Sequence, residues 1–347
     1  MTPTDIQEIV QRARQAGFEP HLRGKRVLVS GARGFLGRHF VAALSALGAR
    51  VAAVDSWAWG AELRVQRHTP LVNVDYVNAD ITAPPPTLIA GGHIDYILAL
   101  AGIASPVWYK KHPIETFDVS VKGVRAMLDI ALAQGSCLLF SSSSEVYGDP
   151  AVVPTPESYR GNVSCRGDRA CYDESKRAAE TLCDVYHRYW SVDARTVRYF
   201  NVYGPGLSQY DYRVLPTFVQ KILKGERLGI YGTGVQTRTF CYVTDAVFGT
   251  LRVLLDGEAG GVYNVGNESP EVSITDLVTQ LERLACRDME QFHPVYVPSP
   301  PEYADEPQRR CPDLTRLRAL GYAPLVGFEE GLGRFLAWAR TAYAEGE

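Results

Sequence analysis

A strand, a glycine-rich turn, a helix and a second strand follow one another near the start of this chain, and they constrain its fold more than any other feature. Residues 25–30 form a short apolar strand, and a turn with glycine at positions 31, 34 and 37 comes directly after it. A helical segment runs to about Leu47, and the next strand, residues 50–54, ends at Asp55. Such a unit of about 30 residues predicts two neighbouring parallel strands joined by a crossover helix.

Strands and helices continue to alternate beyond this unit. The expected elements are apolar strands at 74–77, 96–101, 137–141 and 196–200, and long helices at 113–134 and 172–190. This alternation predicts an α/β protein with a Rossmann-type, doubly wound parallel sheet. The chain after Phe200 is richer in Gly, Pro and Tyr, which indicates a smaller α/β lobe suited to binding a substrate.

The chain is expected to divide into three parts. Apolar residues at helical spacing within 4–18, among them Ile9 and Ala13, predict an amphipathic N-terminal arm that packs on the body or on a partner subunit. The expected bounds are 1–24 for the arm, 25–200 for the Rossmann domain with 236–268 returning to it, and 201–235 with 269–347 for the substrate-binding lobe.

Composition excludes several classes of protein. The 36 Lys and Arg against 39 Asp and Glu give a net charge of −3, which excludes a general nucleic-acid binder. The longest apolar run, Tyr96–Ala104, is far shorter than the ~18 residues of a membrane span. The N-terminus has no apolar signal core, and the 7 cysteines form no Cys-x-x-Cys pair, so a cytoplasmic protein with reduced thiols is expected.

The glycine turn has the features of a dinucleotide site. Gly31, Gly34 and Gly37 let the backbone approach a pyrophosphate, and the following helix directs its N-terminus at the negative charge. Asp55 would accept hydrogen bonds from the adenosine ribose and repel a 2′-phosphate. Arg33 in the turn favours such a phosphate, but the acid outweighs it, so NAD is expected rather than NADP. Further cofactor contacts are expected from Arg33, Phe35, Leu36, Asp80, Ile81, Leu100 and Ala101.

Tyr172 and Lys176 are spaced as Tyr-x-x-x-Lys, which places them one helical turn apart on the same face. An ammonium near a phenol favours the phenolate, so Lys176 is expected to lower the pKa of Tyr172. Tyr172 could then take a proton from a substrate hydroxyl while a hydride leaves the same carbon. A run of hydroxyl residues, Ser141–Ser144, ends an earlier strand. No metal-ligand spacing is present.

Longer segments of the chain carry a family resemblance. They are residues 104–109, 143–150, 157–163, 171–177, 200–205, 236–243 and 305–313. With the two motifs above, they resemble the extended short-chain dehydrogenase/reductase family, in its branch of nucleotide-sugar epimerases, dehydratases and decarboxylases. The resemblance covers roughly residues 25–340. Residues 143–150 and the segment around Arg310 narrow it to the UDP-glucuronate decarboxylases.

The resemblance implies roles for five catalytic residues. Tyr172 is the implied base, and Lys176 holds the nicotinamide ribose. Ser143 resembles the residue that hydrogen-bonds the C4 hydroxyl. Glu145 resembles the active-site glutamate of decarboxylases and dehydratases, and Arg310 the arginine that meets the anionic part of the substrate.

The resemblance also implies residues that bind without reacting. Arg213 falls where the family has an arginine that reaches the cofactor. Asn201, Tyr231 and Arg238 fall where the family contacts the diphosphate and the base. The expected nucleotide-sugar site consists of Ser105, Pro106, Tyr109, Ser144, Asn201, Leu215, Tyr231, Gln236, Arg238 and Arg310.

The implied reaction is the NAD-dependent decarboxylation of UDP-glucuronate to UDP-xylose. Oxidation at C4 makes a ketone β to the C5 carboxylate, and a β-keto acid loses carbon dioxide readily. Tyr172 and Ser143 could stabilise the resulting enolate oxygen by hydrogen bonding. C5 is then protonated, the hydride returns to C4, and NAD is regenerated within the turnover.

Other functions stay open. A 4,6-dehydratase has an Asp where Ser144 stands, and serine is a poor acid at neutral pH, but a dehydratase, 4-epimerase or 4-dehydrogenase acting on a related nucleotide sugar is an alternative. A non-catalytic NAD-binding sensor is another, supported by Ser120, where the family has Asn. Gly206 replaces an arginine of the family, which removes a phosphate contact. The helices at 113–134 and 172–190 resemble those that pair two subunits, so a homodimer is expected.

Overall fold

The computed structural model describes residues 1–56, 71–84, 91–285, 294–299 and 307–344. The helices are α1 (Pro3–Gln15), α2 (Glu19–Leu22), α3 (Phe35–Ala46), α4 (Pro106–Lys111), α5 (Pro113–Asp118), α6 (Val124–Gln134), α7 (Ala170–Trp190), α8 (Val214–Leu223), α9 (Val243–Asp256), α10 (Ile274–Ala285), α11 (Thr315–Ala319) and α12 (Phe328–Ala342). A π-helical turn, Val119–Gly123, joins α5 to α6, and a 3₁₀ turn spans Ser144–Tyr147.

The strands are short and fall into one large sheet and three small ones. They are β1 (Arg26–Ser30), β2 (Arg50–Asp55), β3 (Val74–Asn78), β4 (Tyr96–Ala99), β5 (Cys137–Ser143), β6 (Ala194–Tyr199), β7 (Val202–Tyr203), β8 (Gly229–Tyr231), β9 (Thr237–Thr239), β10 (Cys241–Tyr242), β11 (Val262–Val265), β12 (Glu271–Ser273), β13 (Val295–Val297) and β14 (Arg309–Arg310).

The central sheet has 7 parallel strands in the order β11-β6-β5-β4-β1-β2-β3. The order reverses direction between β1 and β4, so the crevice at their carboxyl ends is where a doubly wound sheet binds ligands. The Rossmann-type fold predicted from the alternation of strands and helices is confirmed.

The central strands are apolar on both faces because helices cover both. Val27 and Val29 of β1 pack in the same cluster as buried residues of α3 and α9. Leu28, which points to the other face, packs with residues of α6 and α7, including Met127 and Ala179. A parallel strand buried on both sides therefore reads as a continuous apolar run rather than as an alternating one.

The three smaller sheets are formed by strands that follow β6 in the sequence. β9 pairs with β12 and β14 in one of them, β8 pairs with β13, and β7 with β10. Within the expected returning segment 236–268, β11 is a strand of the central sheet and α9 packs against that sheet, whereas β9 belongs to the three-stranded sheet.

The helix expected over 113–134 is interrupted. It consists of α5, the π-helical turn and α6. Gly123 ends the turn where a Cβ would lie 2.7 Å from Cδ1 of Ile81, so glycine lets this segment pass close to the end of β3. No helix in the described ranges is long and apolar enough to cross a membrane.

The N-terminal arm packs on the body of the same chain. Ile9 and Ala13 of α1 are fully buried, and the helix contacts α9 and α3. Arg12 donates from Nη1 to Oδ1 of Asp245 at 2.5 Å, and both side chains are buried. The Asp245 carboxylate also accepts the backbone N–H groups of Leu325 and Val326, so one buried charge pair joins the arm, α9 and the C-terminal segment.

Arg12→Met is expected to lower the free energy of unfolding by about 3 kcal/mol, because it leaves the Asp245 carboxylate buried without its cation. Urea unfolding of the variant beside the wild type measures the change. The matched control is Arg14→Met, on the same helix, whose exposed pair with Glu19 is worth about 0.5 kcal/mol. Equal losses in the two variants would contradict a special role for the buried pair.

Candidate active site

A cavity of about 1430 Å³ opens at the carboxyl edge of the central sheet. It extends from the glycine turn to the smaller sheets, so residues of both parts of the chain line it. Each of the first six strands supplies a lining residue at or just after its carboxyl end. These residues are Gly31, Asp55, Ala79, Leu100, Ser143 and Asn201.

The glycine turn is packed too closely for side chains. A Cβ on Gly31, which has a φ of +67°, would lie 2.8 Å from Cα of Ala101, and a Cβ on Gly37 would lie 2.0 Å from the Gly31 carbonyl oxygen. Gly34 precedes α3 without a side-chain cap, so the first N–H groups of the helix are open to a ligand. The turn therefore has the close approach and the positive end that a pyrophosphate requires.

Asp55 lies at the adenosine end expected for the cavity. Its Oδ2 accepts the backbone N–H of Arg33 at 2.9 Å. Burial raises the pKa of this carboxyl, and the Arg33 N–H acts against that rise. The Arg33 guanidinium lies over the Tyr76 ring, 5.8 Å from its centroid, so the turn presents an acid and an arginine side by side.

Tyr172 and Lys176 are both buried at the base of the cavity. The Tyr172 ring stacks on Tyr109, with 5.3 Å between ring centroids and an interplanar angle of 10°. Lys176 donates from Nζ to the Ser141 carbonyl oxygen at 2.8 Å, and Nζ lies 5.8 Å from the centroid of the Tyr172 ring. The strand end and the helix are therefore joined at the position expected for proton transfer.

The expected lowering of the Tyr172 pKa by Lys176 is not found. Burial raises the pKa of Tyr172 to about 12, and a hydrogen bond with Ser143 acts in the opposite direction. Burial also lowers the pKa of Lys176 to about 8. The reason is that both groups are buried, and desolvation disfavours the charged form of each.

Glu145 is held by two arginines. It lies in the 3₁₀ turn after β5, where its backbone N–H donates to Oγ of Ser143 at 3.3 Å. Arg310 of β14 forms a two-pronged ion pair with it, Nη1 to Oε1 at 2.8 Å and Nη2 to Oε2 at 3.0 Å. Arg169 also donates from Nη2 to Oε2. Burial raises the pKa of the neighbouring Asp173 to about 7, with a further contribution from Glu145.

The wall opposite the glycine turn is polar and joined to the loop before α8. Arg213 pairs with Asp211, Nε to Oδ1 at 2.5 Å and Nη2 to Oδ2 at 2.8 Å. Oγ of Ser105 donates to the Asp211 carbonyl oxygen. Asn201, with a φ of +38°, donates from Nδ2 to the Thr239 carbonyl oxygen at 2.8 Å.

The structure brings the predicted site residues to this one cavity, with one difference. Leu215 is buried in the hydrophobic core instead of lining the cavity. The face of α8 that lines the cavity carries Val214, Thr217 and Lys221, at helical spacing. Leu215 lies about 100° around the helix from Val214 and so falls outside this face, and the neighbouring positions contact the cavity in its place.

The two positions that depart from the family resemblance are now located. Ser120 lies in the π-helical turn, is buried, and its Oγ has no hydrogen-bond partner within the described residues. Gly206 has a φ of +96°, which disfavours a side chain, and a Cβ there would lie 3.4 Å from Cδ of Arg38. Arg38 itself lines the cavity.

Arg169, Asp173 and Asp211 contact the site residues but were missed by the sequence reasoning. Arg169 and Asp173 flank Tyr172 at positions −3 and +1, which identifies them as neighbours on the helix but not as partners of Glu145. Arg169 and Glu145 are 24 residues apart, and only the packing of α7 against the end of β5 makes them a pair.

Comparison with known proteins identifies the family. The model of the NAD dependent epimerase/dehydratase family matches residues 27–266. The chain belongs to this family. NAD is therefore its cofactor, and the closely packed glycine turn, the open start of α3 and the position of Asp55 fit that group.

Individual relatives are more specific. "UDP-glucuronic acid decarboxylase 2" of Arabidopsis thaliana is 40% identical over 312 residues, which are 89% of this chain and 67% of the relative. "UDP-glucuronic acid decarboxylase 1" of Xenopus tropicalis is 38% identical over 91% of this chain and 72% of its own length. A solved dTDP-glucose 4,6-dehydratase of Streptomyces venezuelae, with NAD bound, has a TM-score of 0.79 and 27% identity over 92% of this chain and 98% of its own.

Lys176→Met is expected to raise the free energy of unfolding at pH 7 by on the order of 2 kcal/mol, because the folded protein no longer buries an ammonium whose pKa is lowered. The loss of stability caused by burying the Lys176 ammonium is fully present below pH 8. It disappears as the pH rises towards 10.5, the pKa of an unburied lysine. Urea unfolding at pH 7 and pH 10 measures the difference.

The control for this prediction is Lys122→Met, which removes an exposed lysine paired with Asp118. It should change stability little at either pH. A Lys176→Met variant that is less stable than the wild type at pH 7, or whose advantage is the same at both pH values, would show that burial of the ammonium is not costly.

Proposed function

We propose that this protein catalyses the decarboxylation of UDP-glucuronate to UDP-xylose and carbon dioxide, with NAD regenerated in each turnover. The observation that carries the proposal is that a buried arginine, Arg310, and the buried Tyr172 line one cavity. The names of the decarboxylase relatives support the same substrate.

When bound, NAD would supply the acceptor for the C4 hydride of the sugar and, as NADH, the donor that restores it at the end of the cycle. The residues that would hold it are Gly31, Gly34 and Gly37 at the pyrophosphate, Asp55 at the adenosine ribose, and Lys176 at the nicotinamide ribose. All of these residues line the cavity, and Nζ of Lys176 lies 5.8 Å from the centroid of the Tyr172 ring.

Tyr172 and Ser143 act on the oxygen at C4. In its phenolate form, Tyr172 takes the hydroxyl proton as the C4 ketone forms and is left as the phenol. Once carbon dioxide has left C5, the electrons of the broken bond move into that carbonyl, and both side chains stabilise the enolate oxygen by hydrogen bonding. Protonation of C5 then completes the loss of the carboxylate. Burial strengthens these hydrogen bonds because water is excluded.

Arg310 meets the carboxylate of the substrate. Its Nη1 and Nη2 are used by Glu145, whereas its Nε is buried and has no hydrogen-bond partner within the described residues. A guanidinium with an unused donor accepts a second carboxylate. A charged donor bonds a carboxylate more strongly than it bonds the hydroxyl of a neutral sugar, so the arrangement favours an acidic sugar.

Ser144 disfavours the alternative reaction of a dehydratase. Loss of water from C6 requires an acid that protonates the departing hydroxyl. Ser144 is buried next to Glu145, and a serine hydroxyl does not act as an acid at neutral pH. The position therefore supports carbon dioxide loss over water loss.

The chain is expected to convert UDP-glucuronate to UDP-xylose in the presence of catalytic NAD, as observed by proton NMR of the anomeric signals. Arg310→Met should lower kcat/KM by about 100-fold or more, because the substrate carboxylate loses its cation in a buried site. The matched control is Arg309→Met, which removes the adjacent, exposed arginine paired with Glu271 and should keep near wild-type activity.

Incubation with UDP-glucose and dTDP-glucose completes this test. A 4-keto-6-deoxy product from either would contradict the decarboxylase assignment in favour of a dehydratase, and UDP-galacturonate from UDP-glucuronate would favour a 4-epimerase. Retained NAD without turnover of any of these sugars would support a sensor.

We also infer a homodimer, formed through α5, α6 and α7. These neighbouring helices carry exposed large apolar side chains, which mark an interaction surface. They are Ile114, Phe117, Leu132, Tyr189 and Trp190. The proposed contact is between these helices of two copies of the chain.

Light scattering at micromolar concentration should give twice the mass of one chain for the wild type. Ile114→Glu should shift the protein towards the monomer, because it buries a charge in the proposed contact. Leu325→Glu, a change at an equally exposed apolar residue outside these helices, should leave the dimer intact. A monomeric wild type would rule the dimer out.

We further infer a cytoplasmic location and a division of the chain between its two ligands. The 6 described cysteines are all free, which is typical of a reducing compartment. Residues 25–200 with 236–268 would bind NAD, and 201–235 with 269–347 the nucleotide sugar. The glycine turn supports the first assignment, and Arg310 supports the second.

A further inference from the structure

The Glu145 carboxylate is held by arginines from two different parts of the fold. Arg310 belongs to β14, in the three-stranded sheet, and is 165 residues away in sequence. Arg169 immediately precedes α7, the helix that carries Tyr172 one turn later. Glu145, Arg169 and Tyr172 therefore lie on the central sheet and its covering helix, whereas Arg310 reaches the site from the smaller sheet.

The two arginines do not donate equally to the Glu145 carboxylate. Arg310 donates to both carboxylate oxygens of Glu145, and Arg169 donates to Oε2 alone. Nε of Arg169 also lies 3.6 Å from Oδ2 of Asp173. The Arg169 guanidinium thus contacts two carboxylates, with 18% of its side chain exposed, compared with 13% for Glu145.

Substrate binding changes this balance. If Arg310 accepts the substrate carboxylate, two carboxylates share one guanidinium, and each is stabilised less by it. A second anion close to Glu145 also repels its carboxylate. Without another cation, the Glu145 side chain would turn away, since a buried charge needs a partner. Arg169 is placed to be that cation.

We propose that Arg169 is a positioning residue, which holds the Glu145 carboxylate in place beside the substrate when Arg310 binds the substrate carboxylate. The proposal rests on the decarboxylation proposed above. Asp173, 3.6 Å from Nε of Arg169, helps to orient the guanidinium. Arg169 thus acts on turnover through Glu145 and makes no contact with the substrate carboxylate.

Arg169→Met is expected to lower kcat for UDP-glucuronate about 10- to 100-fold with little change in KM, because the substrate keeps Arg310 while Glu145 loses its support. Arg169→Lys should restore part of kcat, since an ammonium supplies one of the donors. The matched control is Arg188→Met, on the same helix, which removes an exposed arginine paired with Asp184 and should leave kcat unchanged.

The pH profile separates positioning from a general structural role. The acidic limb of kcat should move to higher pH in Arg169→Met, because the variant removes the cation that pairs with Glu145 and lowers the pKa of Asp173. The groups that face Glu145 are Arg169 and Asp173 at α7, Arg310 of β14, and Arg213 before α8. A variant that loses only stability would lower kcat without moving that limb.

A double-mutant cycle with Glu145→Gln tests the route of action. If Arg169 acts through Glu145, Arg169→Met should have much less effect on kcat in the Glu145→Gln background than in the wild type. An equal fold-loss in both backgrounds would overturn the proposal. It would also be overturned by an Arg169→Met variant that binds UDP-glucuronate far more weakly but UDP-xylose normally, since Arg169 would then bind the carboxylate itself.

The same experiments separate this proposal from the proposed function. A wild type that makes no UDP-xylose would refute the decarboxylation, and with it the role of Arg169. A wild type that makes UDP-xylose while Arg169→Met behaves identically would refute the role of Arg169 alone.

Discussion

One buried hydrogen bond links the parts on which the site depends. The Lys176 ammonium donates to the Ser141 carbonyl oxygen and so joins the covering helix α7 to the carboxyl end of β5. Tyr172 and Arg169 are placed by that helix, and Ser143 and Glu145 by that strand and the turn after it. Burying the ammonium lowers its pKa to about 8, because desolvation disfavours the charged form. Lys176 therefore positions the site while it lowers the stability of the fold.

Two further charged side chains, Glu180 and Arg198, stabilise this junction of helix and strand. Glu180, one turn after Lys176 on α7, accepts the Ser142 hydroxyl at 2.5 Å and pairs with Arg198 of β6. Arg198 in turn donates to the Tyr147 hydroxyl at 2.8 Å, after the Glu145 turn. A partly buried acid that is bonded on several sides resists movement more than an apolar contact does, because displacement leaves a charge unpaired. The strand end and the turn are therefore rigid around the reacting groups.

Patterns of neighbouring residues in the sequence were sufficient to predict much of the fold. β1, α3 and β2 agree with the predicted elements to within a residue or two, because apolar runs and glycine turns are read over short distances. The π-helical turn at Val119–Gly123 was missed, since it results from the close pass of Gly123 over Ile81, which no local pattern records. Leu215 was misplaced for a related reason: a helix with several apolar neighbours does not show from its sequence which face meets the cavity.

The sequence by itself determined the parallel sheet, the dinucleotide turn and the Tyr-x-x-x-Lys pair, since each depends on residues close together along the chain. Only the tertiary structure decided which residues pair with Glu145 and in which direction the pKa of Tyr172 is shifted. Arg169 and Arg310 are 24 and 165 residues from Glu145, and folding alone brings their guanidiniums to one carboxylate. The pKa of Tyr172 is decided by burial, which depends on every element packed around it and not on the neighbouring lysine.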